Sequence, residues 1–435
     1  MESTTLEKLE KAAPYNILCN IIPESSETSQ QPNAINFRDL LCPSLGKLKS
    51  SLQINFIIGV EWLMQQYESQ NLATKPLTLL YGNQLSEESE KYLETFPNVS
   101  HEYVEIKGCH HTKMGIYVYE DSSLRVVVST ANLYQKEWEY ANQQLWVSPL
   151  CPSLPETAPD TSGESATNFK SALLDYLQSY KLDIVQPWIS YVTRADFSDV
   201  KVFLVTSIPG QYTPPSTRCH LHHVGDLLAQ HCTLPDGDAT SWPIIAQMSS
   251  VGFYGKSPAE WLRGTFLRNI AAHDRSKQVY LSSAPLKIVY PSRRNVRDSY
   301  LSKNGGFCLN YDIEMSNKQD WLRNYLHHWK ADELGRSRVM PHDKFYCRIS
   351  PCLTKLAWFL LSSANMSRGA WGSKYLDGNS NVFVRNYEAG VMFFPKFFGE
   401  EYFKIGGKGR AGFPMVCNLP LTEYEKRDRP FCDMH

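Results

Sequence analysis

Two sets of side chains in this chain have the types and spacing that phosphoryl chemistry needs. His111, Lys113 and Asn132 form one, and His342, Lys344 and Asn365 form the other. The intervals from His to Asn are 21 residues (111 to 132) and 23 residues (342 to 365). Each Asn closes a similar tetrad, Ser129-Thr130-Ala131-Asn132 and Ser362-Ser363-Ala364-Asn365, and a tryptophan, Trp138 or Trp371, follows six residues later. Alone, a histidine is usually a satisfied structural residue and such an asparagine a strand-end turn. Two copies in the same order reverse that reading and imply two equivalent lobes related by a pseudo-twofold axis.

Residues i and i+2 of an extended strand point to one face, so His111 and Lys113 project together, as do His342 and Lys344. If the lobes pack face to face, two imidazoles, two ammonium groups and two carboxamides converge. The lysines offset charge on non-bridging phosphate oxygens, and the asparagines donate hydrogen bonds in fixed directions. One histidine can attack phosphorus while the other protonates the leaving oxygen and then deprotonates water. A nucleophilic imidazole needs a second group to hold its other nitrogen. Glu388, which opens EAGVMFF, is expected to pair with His111, and Gln143, which opens QQLWVS, with His342. His110 is out of register with Lys113 and reads as structural, and Trp138 and Trp371 read as packing braces.

The elements that must position these groups are short. RVVVSTA (125–131), DVKVFLVTS (199–207), QVYLSS (278–283) and LAWFLLSSA (356–364) read as buried strands. NFKSALLDYLQSY (168–180), SPAEWLRGTFLRNI (257–270) and SNKQDWLRNYLHHWK (316–330) carry helical spacing behind Asn or Ser. Turn-rich stretches at 23–33 and 148–167 read as surface loops. Strands alternating with helices predict an α/β fold. The expected lobes are residues 1–198 and 199–435, each with a mixed sheet flanked by helices and one half-site.

With 435 residues, 42% hydrophobic and 20% charged, the composition is that of a globular protein, and 435 residues exceed one ordinary core. The formal net charge of -1 gives no global attraction to a polyanion, so nucleic acid would have to meet a local basic cleft. Three short basic patches (Arg293, Arg294 and Arg297; Arg336 and Arg338; Lys404, Lys408 and Arg410) each read, taken singly, as solvated surface. The opening residues lack a basic segment followed by an apolar run, and no apolar stretch approaches the roughly 18 residues of a spanning helix, so the expectation is a soluble intracellular protein. Eleven scattered cysteines without a C-x-x-C pair read as reduced thiols. Cys219, His220, His222, His223, His231 and Cys232 fit no common zinc spacing and read as the body of an amphipathic helix.

The duplicated H-x-K…N order resembles the phospholipase D superfamily. Lipases of that superfamily carry an acidic residue five positions after the lysine, whereas Val118 and Ile349 stand there in this chain. The segments GCHHTKMGIYVYE, SGESATNFKSALLDYL, YPSRRNVRDS, GRSRVMPHDKFYCR, LAWFLLSSANMSRGAWG and RNYEAGV resemble the tyrosyl-DNA phosphodiesterase family. The resemblance implies a phospholipase D-like fold with a narrow cleft. It also implies hydrolysis of 3′-phosphotyrosyl and related 3′ adducts, such as those between topoisomerase I and DNA, through a phosphohistidine on His111, with His342 as acid and base and a 3′-phosphate as product. Ser249, Ser250 and Ser367, with the loop around Arg294 and Arg297, would hold single-stranded or nicked DNA. Phe56 stands where relatives can carry a tyrosine, so contacts to the tyrosyl peptide are expected to differ.

A monomer, in the nucleus and also the cytoplasm, is expected, with no cofactor and no membrane partner. The alternatives are a phospholipase D-type lipid phosphodiesterase, which the missing acidic residues disfavour, and a non-catalytic DNA-end binding module, which the intact half-sites disfavour. No carboxylate pair suited to two catalytic metals accompanies the motifs, and nucleophile and charge neutralisation are both assigned to side chains. Hydrolysis of a 3′-phosphotyrosyl oligonucleotide should therefore proceed at an unchanged rate in EDTA; loss of activity restored by a divalent cation would reject the metal-free assignment.

Overall fold

Twenty-one strands form among the described residues, and the two large sheets share one strand order. The computed structural model describes residues 4–235, 240–274, 283–374, 381–406 and 412–433. In the first half the strands are β1 (Ile17–Asn20), β2 (Ala34–Ile35), β3 (Leu48–Asn55), β4 (Leu77–Tyr81), β5 (Val99–Tyr103), β6 (Met114–Tyr119), β7 (Leu124–Ser129), β8 (Ala141–Asn142) and β9 (Gln144–Val147). The second half holds β10 (Phe203–Ser207), β11 (Gly210–Tyr212), β12 (Ile244–Gln247), β13 (Leu286–Val289), β14 (Leu326–His327), β15 (Met340–Pro341), β16 (Phe345–Ile349), β17 (Lys355–Ser362), β18 (Ser373–Lys374), β19 (Val382–Val384), β20 (Glu388–Phe393) and β21 (Phe403–Lys404).

The first sheet runs β2-β1-β9-β7-β6-β3-β4-β5 and the second β10-β20-β17-β16-β12-β13-β14, with β21 added to β17. Without β2 and β21 the two paths superimpose strand for strand. In both, four antiparallel pairings are followed by two parallel ones. The central strands are buried on both faces: β6 and β16 are buried at every position, and the one charged residue among them, Arg348, donates to the Trp242 and Ala271 carbonyls. One hydrophobic cluster continues through both halves, from Ile17 and Val126 to Phe359 and Val391.

Matching turns present the site residues. Ser129 Oγ accepts the amide of Ala131, and Ser362 Oγ accepts that of Ala364, both at 3.0 Å, which turns the chain after β7 and β17 and delivers Asn132 and Asn365. The halves are joined by two equivalent backbone contacts. The His111 amide donates to the Tyr387 carbonyl and the His342 amide to the Asn142 carbonyl, each at 2.9 Å. Beside them β15 pairs in parallel with β8, and His110 with Tyr387. Gly108 permits the second approach, since a Cβ there would lie 2.0 Å from the Arg385 carbonyl oxygen.

Some sequence expectations are corrected. The segment 257–270 is helical only from residue 261, and part of it is a π turn, Leu262–Phe266. The segment 316–330 is not one helix. It divides into Ile313–Lys318, a 3-10 turn Asp320–Tyr325 and β14, because Gln319 leaves helical geometry to bond the Tyr254 amide, the Gly252 carbonyl and the Tyr311 hydroxyl. QVYLSS lies outside the described residues except for Ser283, as do Lys408 and Arg410. All eleven cysteines are free thiols. Among the described residues no helix is long and apolar enough to cross a membrane.

Arg336, read from sequence as surface, is fully buried and stitches the halves together. Its guanidinium donates to Gln31 Oε1, Asn142 Oδ1 and the Asn20 carbonyl, while Asn142 Nδ2 donates to Asp343 beside the catalytic strand. Burying so strongly polar a group demands such saturation, and its removal strands three acceptors. Arg336→Ala should lower stability by about 3–5 kcal/mol, measured by urea unfolding.

Candidate active site

His111 Nδ1 lies 2.9 Å from Glu388 Oε2, across the boundary between the halves. Glu388 is buried and also accepts from the Ser363 hydroxyl (2.5 Å) and Asn386 Nδ2 (3.0 Å). Burial opposes its charge, but His111 and these donors outweigh that and hold the carboxyl at about 2. Burial is also the largest influence on His111, pulling it down to about 4 despite Glu388, with the charges of Lys113 and Lys344 acting in the same sense. At neutral pH His111 is therefore an uncharged imidazole whose Nδ1–H donates to Glu388, leaving Nε2 bare.

The second histidine meets the other half in the same manner. Gln143 is fully buried, and its Nε2 lies 3.1 Å from His342 Nδ1 while its Oε1 accepts from the Thr130 hydroxyl at 2.8 Å. Burial, then Lys344, Lys113 and His111, hold His342 well below the usual imidazole range. Each lysine reaches back to its own histidine: Lys113 Nζ donates to the His111 carbonyl at 2.8 Å, and Lys344 Nζ to that of His342. The intervening residues point the other way, Thr112 to the Tyr176 hydroxyl and Asp343 to Asn142, as strand alternation requires.

The asparagines are fixed by loops after equivalent strands. Asn132 Oδ1 accepts from the Ile57 amide at 3.3 Å, beyond β3. Asn365 Oδ1 accepts from the amides of Ser249 (3.1 Å) and Ser250 (2.9 Å), beyond β12. With the oxygens committed, the Nδ2 groups are the ends available to an anion. The structure thus brings all six H-x-K…N residues, Gln143 and Glu388 to one place. Trp138 braces the first turn by donating to the Asn132 carbonyl, whereas Trp371 donates to the Tyr346 hydroxyl, which in turn bonds the Ala364 carbonyl. His110 is buried between Tyr180 and Tyr387 and bonded to the Asn55 carbonyl.

Ser249, Ser250 and Ser367 gather on the Asn365 side of the site; Ser367 also caps the short helix Arg368–Trp371. Arg294 and Arg297 line a cavity of about 480 Å³ with Ser292, Arg293, Arg427, Asp428 and Arg429. Arg294 is held by Asp428 at 2.6 Å and Arg297 by Asp298 at 2.9 Å. Phe56 stands beside the first half-site, its ring 5.7 Å from that of His111 and 5.5 Å from Lys113 Nζ. Val118 and Ile349 are wholly buried in the sheets. Among the described residues no three His, Cys, Asp or Glu side chains gather as a metal set, and His220 bonds Ser207 and Ser362.

Sequence reasoning missed Glu137. This buried residue accepts from the Asn132 amide and Asn132 Nδ2, both at 2.7 Å, and from Gln143 Nε2 at 3.2 Å; its Oε2 also lies 3.2 Å from His342 Nδ1. Its position five residues after Asn132 has no acidic match in the second half, where Ala370 stands, so the repeat could not flag it.

Duplicated sheets meeting at paired His and Lys side chains define the phospholipase D-like class of phosphodiesterase. The tyrosyl-DNA phosphodiesterase family profile matches residues 17–425. The chain is 38% identical to tyrosyl-DNA phosphodiesterase 1 of Drosophila melanogaster, covering 98% of this chain and 74% of that protein. It is 29% identical to a probable tyrosyl-DNA phosphodiesterase of Caenorhabditis elegans, over 88% and 81%. The crystal structure of yeast tyrosyl-DNA phosphodiesterase has the same fold, with a TM-score of 0.74 over 96% of this chain and 100% of that one at 19% identity. The chain belongs to the tyrosyl-DNA phosphodiesterase family.

Burial lowers Lys344 to about 7, reinforced by Lys113, and Lys113 to about 8. Raising pH through this range discharges the lysines, so kcat/KM should fall there, while kcat falls less because a bound phosphate anion favours the charged forms. Lys113→Ala or Lys344→Ala should lower turnover roughly a hundredfold, with DNA affinity much less changed; near-normal turnover in both would remove the lysines from the chemistry.

Proposed function

We propose that this chain hydrolyses the phosphodiester joining a DNA 3′ end to a tyrosyl peptide, leaving a 3′-phosphate, as a DNA-repair activity. The observation that carries the reading is the neutral His111, oriented by the Glu388 carboxylate and flanked by two lysines, with a second oriented histidine in the same site. His111 Nε2 attacks phosphorus in line, and the tyrosyl oxygen departs with the proton of His342. His342 then takes a proton from water, whose oxygen displaces His111 from phosphorus and completes the 3′-phosphate.

Relatives named tyrosyl-DNA phosphodiesterase support this substrate over a lipid. Ser249, Ser250 and Ser367 offer polar contacts on the Asn365 side for the DNA strand. The cavity of Arg293, Arg294, Arg297, Arg427 and Arg429 supplies the local positive charge that a net charge of -1 requires, and it would hold backbone phosphate farther from the reaction. The aromatic face of Phe56 would meet the leaving group or its peptide, which can derive from topoisomerase I. The proposed setting is a monomer acting in the nucleus and the cytoplasm.

A tyrosyl phenol has a pKa of about 10 and water one of about 16, so the leaving tyrosine needs an acid less than attacking water needs a base. Substituting His342 should therefore trap a covalent protein-DNA adduct after one turnover, while His111→Ala forms none. Denaturing electrophoresis with labelled 3′-phosphotyrosyl DNA reads this as a retarded, acid-labile band. Adduct from His111→Ala alone would exchange the roles, and its absence from both, with wild type cleaving, would indicate direct attack by water. A chain that binds the oligonucleotide without cleaving it would be a DNA-end binding module.

A further inference from the structure

We propose that Glu137 is a positioning residue for the proton-transferring histidine: it fixes His342 as the Nδ1–H tautomer, so that Nε2 is bare when water attacks. This inference rests on the two-step hydrolysis above and concerns its second step. Gln143 cannot make the choice alone, because its amide presents Nε2 at 3.1 Å and Oε1 at 3.3 Å to the same His342 Nδ1. Donation from Nε2 selects the Nε2–H tautomer, which cannot take a proton from water; acceptance by Oε1 selects the other. A carboxylate only accepts. With Glu137 Oε2 at 3.2 Å from Nδ1, the tautomer carrying hydrogen on Nδ1 is favoured.

The same carboxylate sets its neighbours. Oε1 takes one hydrogen of Asn132 Nδ2, leaving the other for a phosphate oxygen, and Oε2 takes the Asn132 amide and Gln143 Nε2. In the second step water forms its bond to phosphorus as the P–N bond to His111 breaks, with that electron pair returning to His111 Nε2. The water proton passes to His342 Nε2. His342 then carries a positive charge facing Lys344 of its own segment and Lys113 and His111 from the other half, while Asp343 points away to Asn142. Glu137 is the negative group directly beside its Nδ1.

The test uses the full chain with Glu137→Gln and Glu137→Asp, following formation and breakdown of the adduct separately in single turnovers of a 3′-phosphotyrosyl oligonucleotide across pH. Glu137→Gln should slow breakdown at least about tenfold more than formation, so the adduct accumulates. Without the carboxylate, His342 holds its proton less tightly, so the limbs of the pH profiles belonging to it should move to lower pH; Glu137→Asp should restore part of the rate. Equal slowing of both steps with unmoved limbs, or wild-type behaviour, would overturn the proposal. Nitrogen NMR of histidine-labelled wild type tests it without a variant: neutral His342 should be protonated at Nδ1, and an Nε2–H tautomer would overturn it. Failure of wild type to form any adduct while cleaving would overturn the two-step reading itself, a different result from either.

Discussion

Each histidine of the two half-sites is hydrogen-bonded through its own amide to the opposite half, His111 to Tyr387 and His342 to Asn142. The residue after each acceptor is the one that orients that histidine, Glu388 and Gln143. A backbone contact therefore sets side-chain geometry, because consecutive residues of an extended segment point to opposite faces. Once the carbonyl at 387 or 142 faces the incoming histidine amide, the next side chain is delivered to its Nδ1. Sheets, turns and the packed interior serve to hold these two short crossings in register.

Electrostatically the site works against its own cations. Two buried lysines and two buried histidines all have their protonated forms disfavoured by loss of water, and Lys113 lowers Lys344 further. Glu388 and Glu137 offset part of that charge from the flanks, behind the imidazoles. A phosphate diester entering between the lysines brings an anion to them. It strengthens the lysine charge on which its own binding depends, so substrate and protonation state reinforce each other.

The half-sites were legible because duplication is a strong signal: matching order at His, Lys, Asn, Trp and the orienting position pointed to two matching sheets and to eight side chains that the fold gathers. What the repeat does not contain was hidden. Glu137 faces Ala370 in the comparison, so only folding brings its carboxylate to Asn132 and His342. Arg336 looked like surface because charge alone does not reveal burial, and its partners Gln31, Asn20 and Asn142 are distant in sequence. The helical pattern of 316–330 was genuine locally but yielded to the hydrogen bonds of Gln319 and to pairing of Leu326 and His327 with β13.

The crossed partnership has a consequence for ancestry. A half-length chain with one H-x-K…N set would lack the group that orients its histidine, and two copies joined by a twofold axis would supply it to each other. In such a pair the imidazoles are identical by symmetry, and neither subunit could specialise without altering both. Placing both halves on one polypeptide removes that constraint. Position 143 can hold an amide while 388 holds an acid, and position 137 an acid while 370 holds alanine, so nucleophile and proton carrier can diverge inside a frame that still keeps the geometry of a symmetric pair.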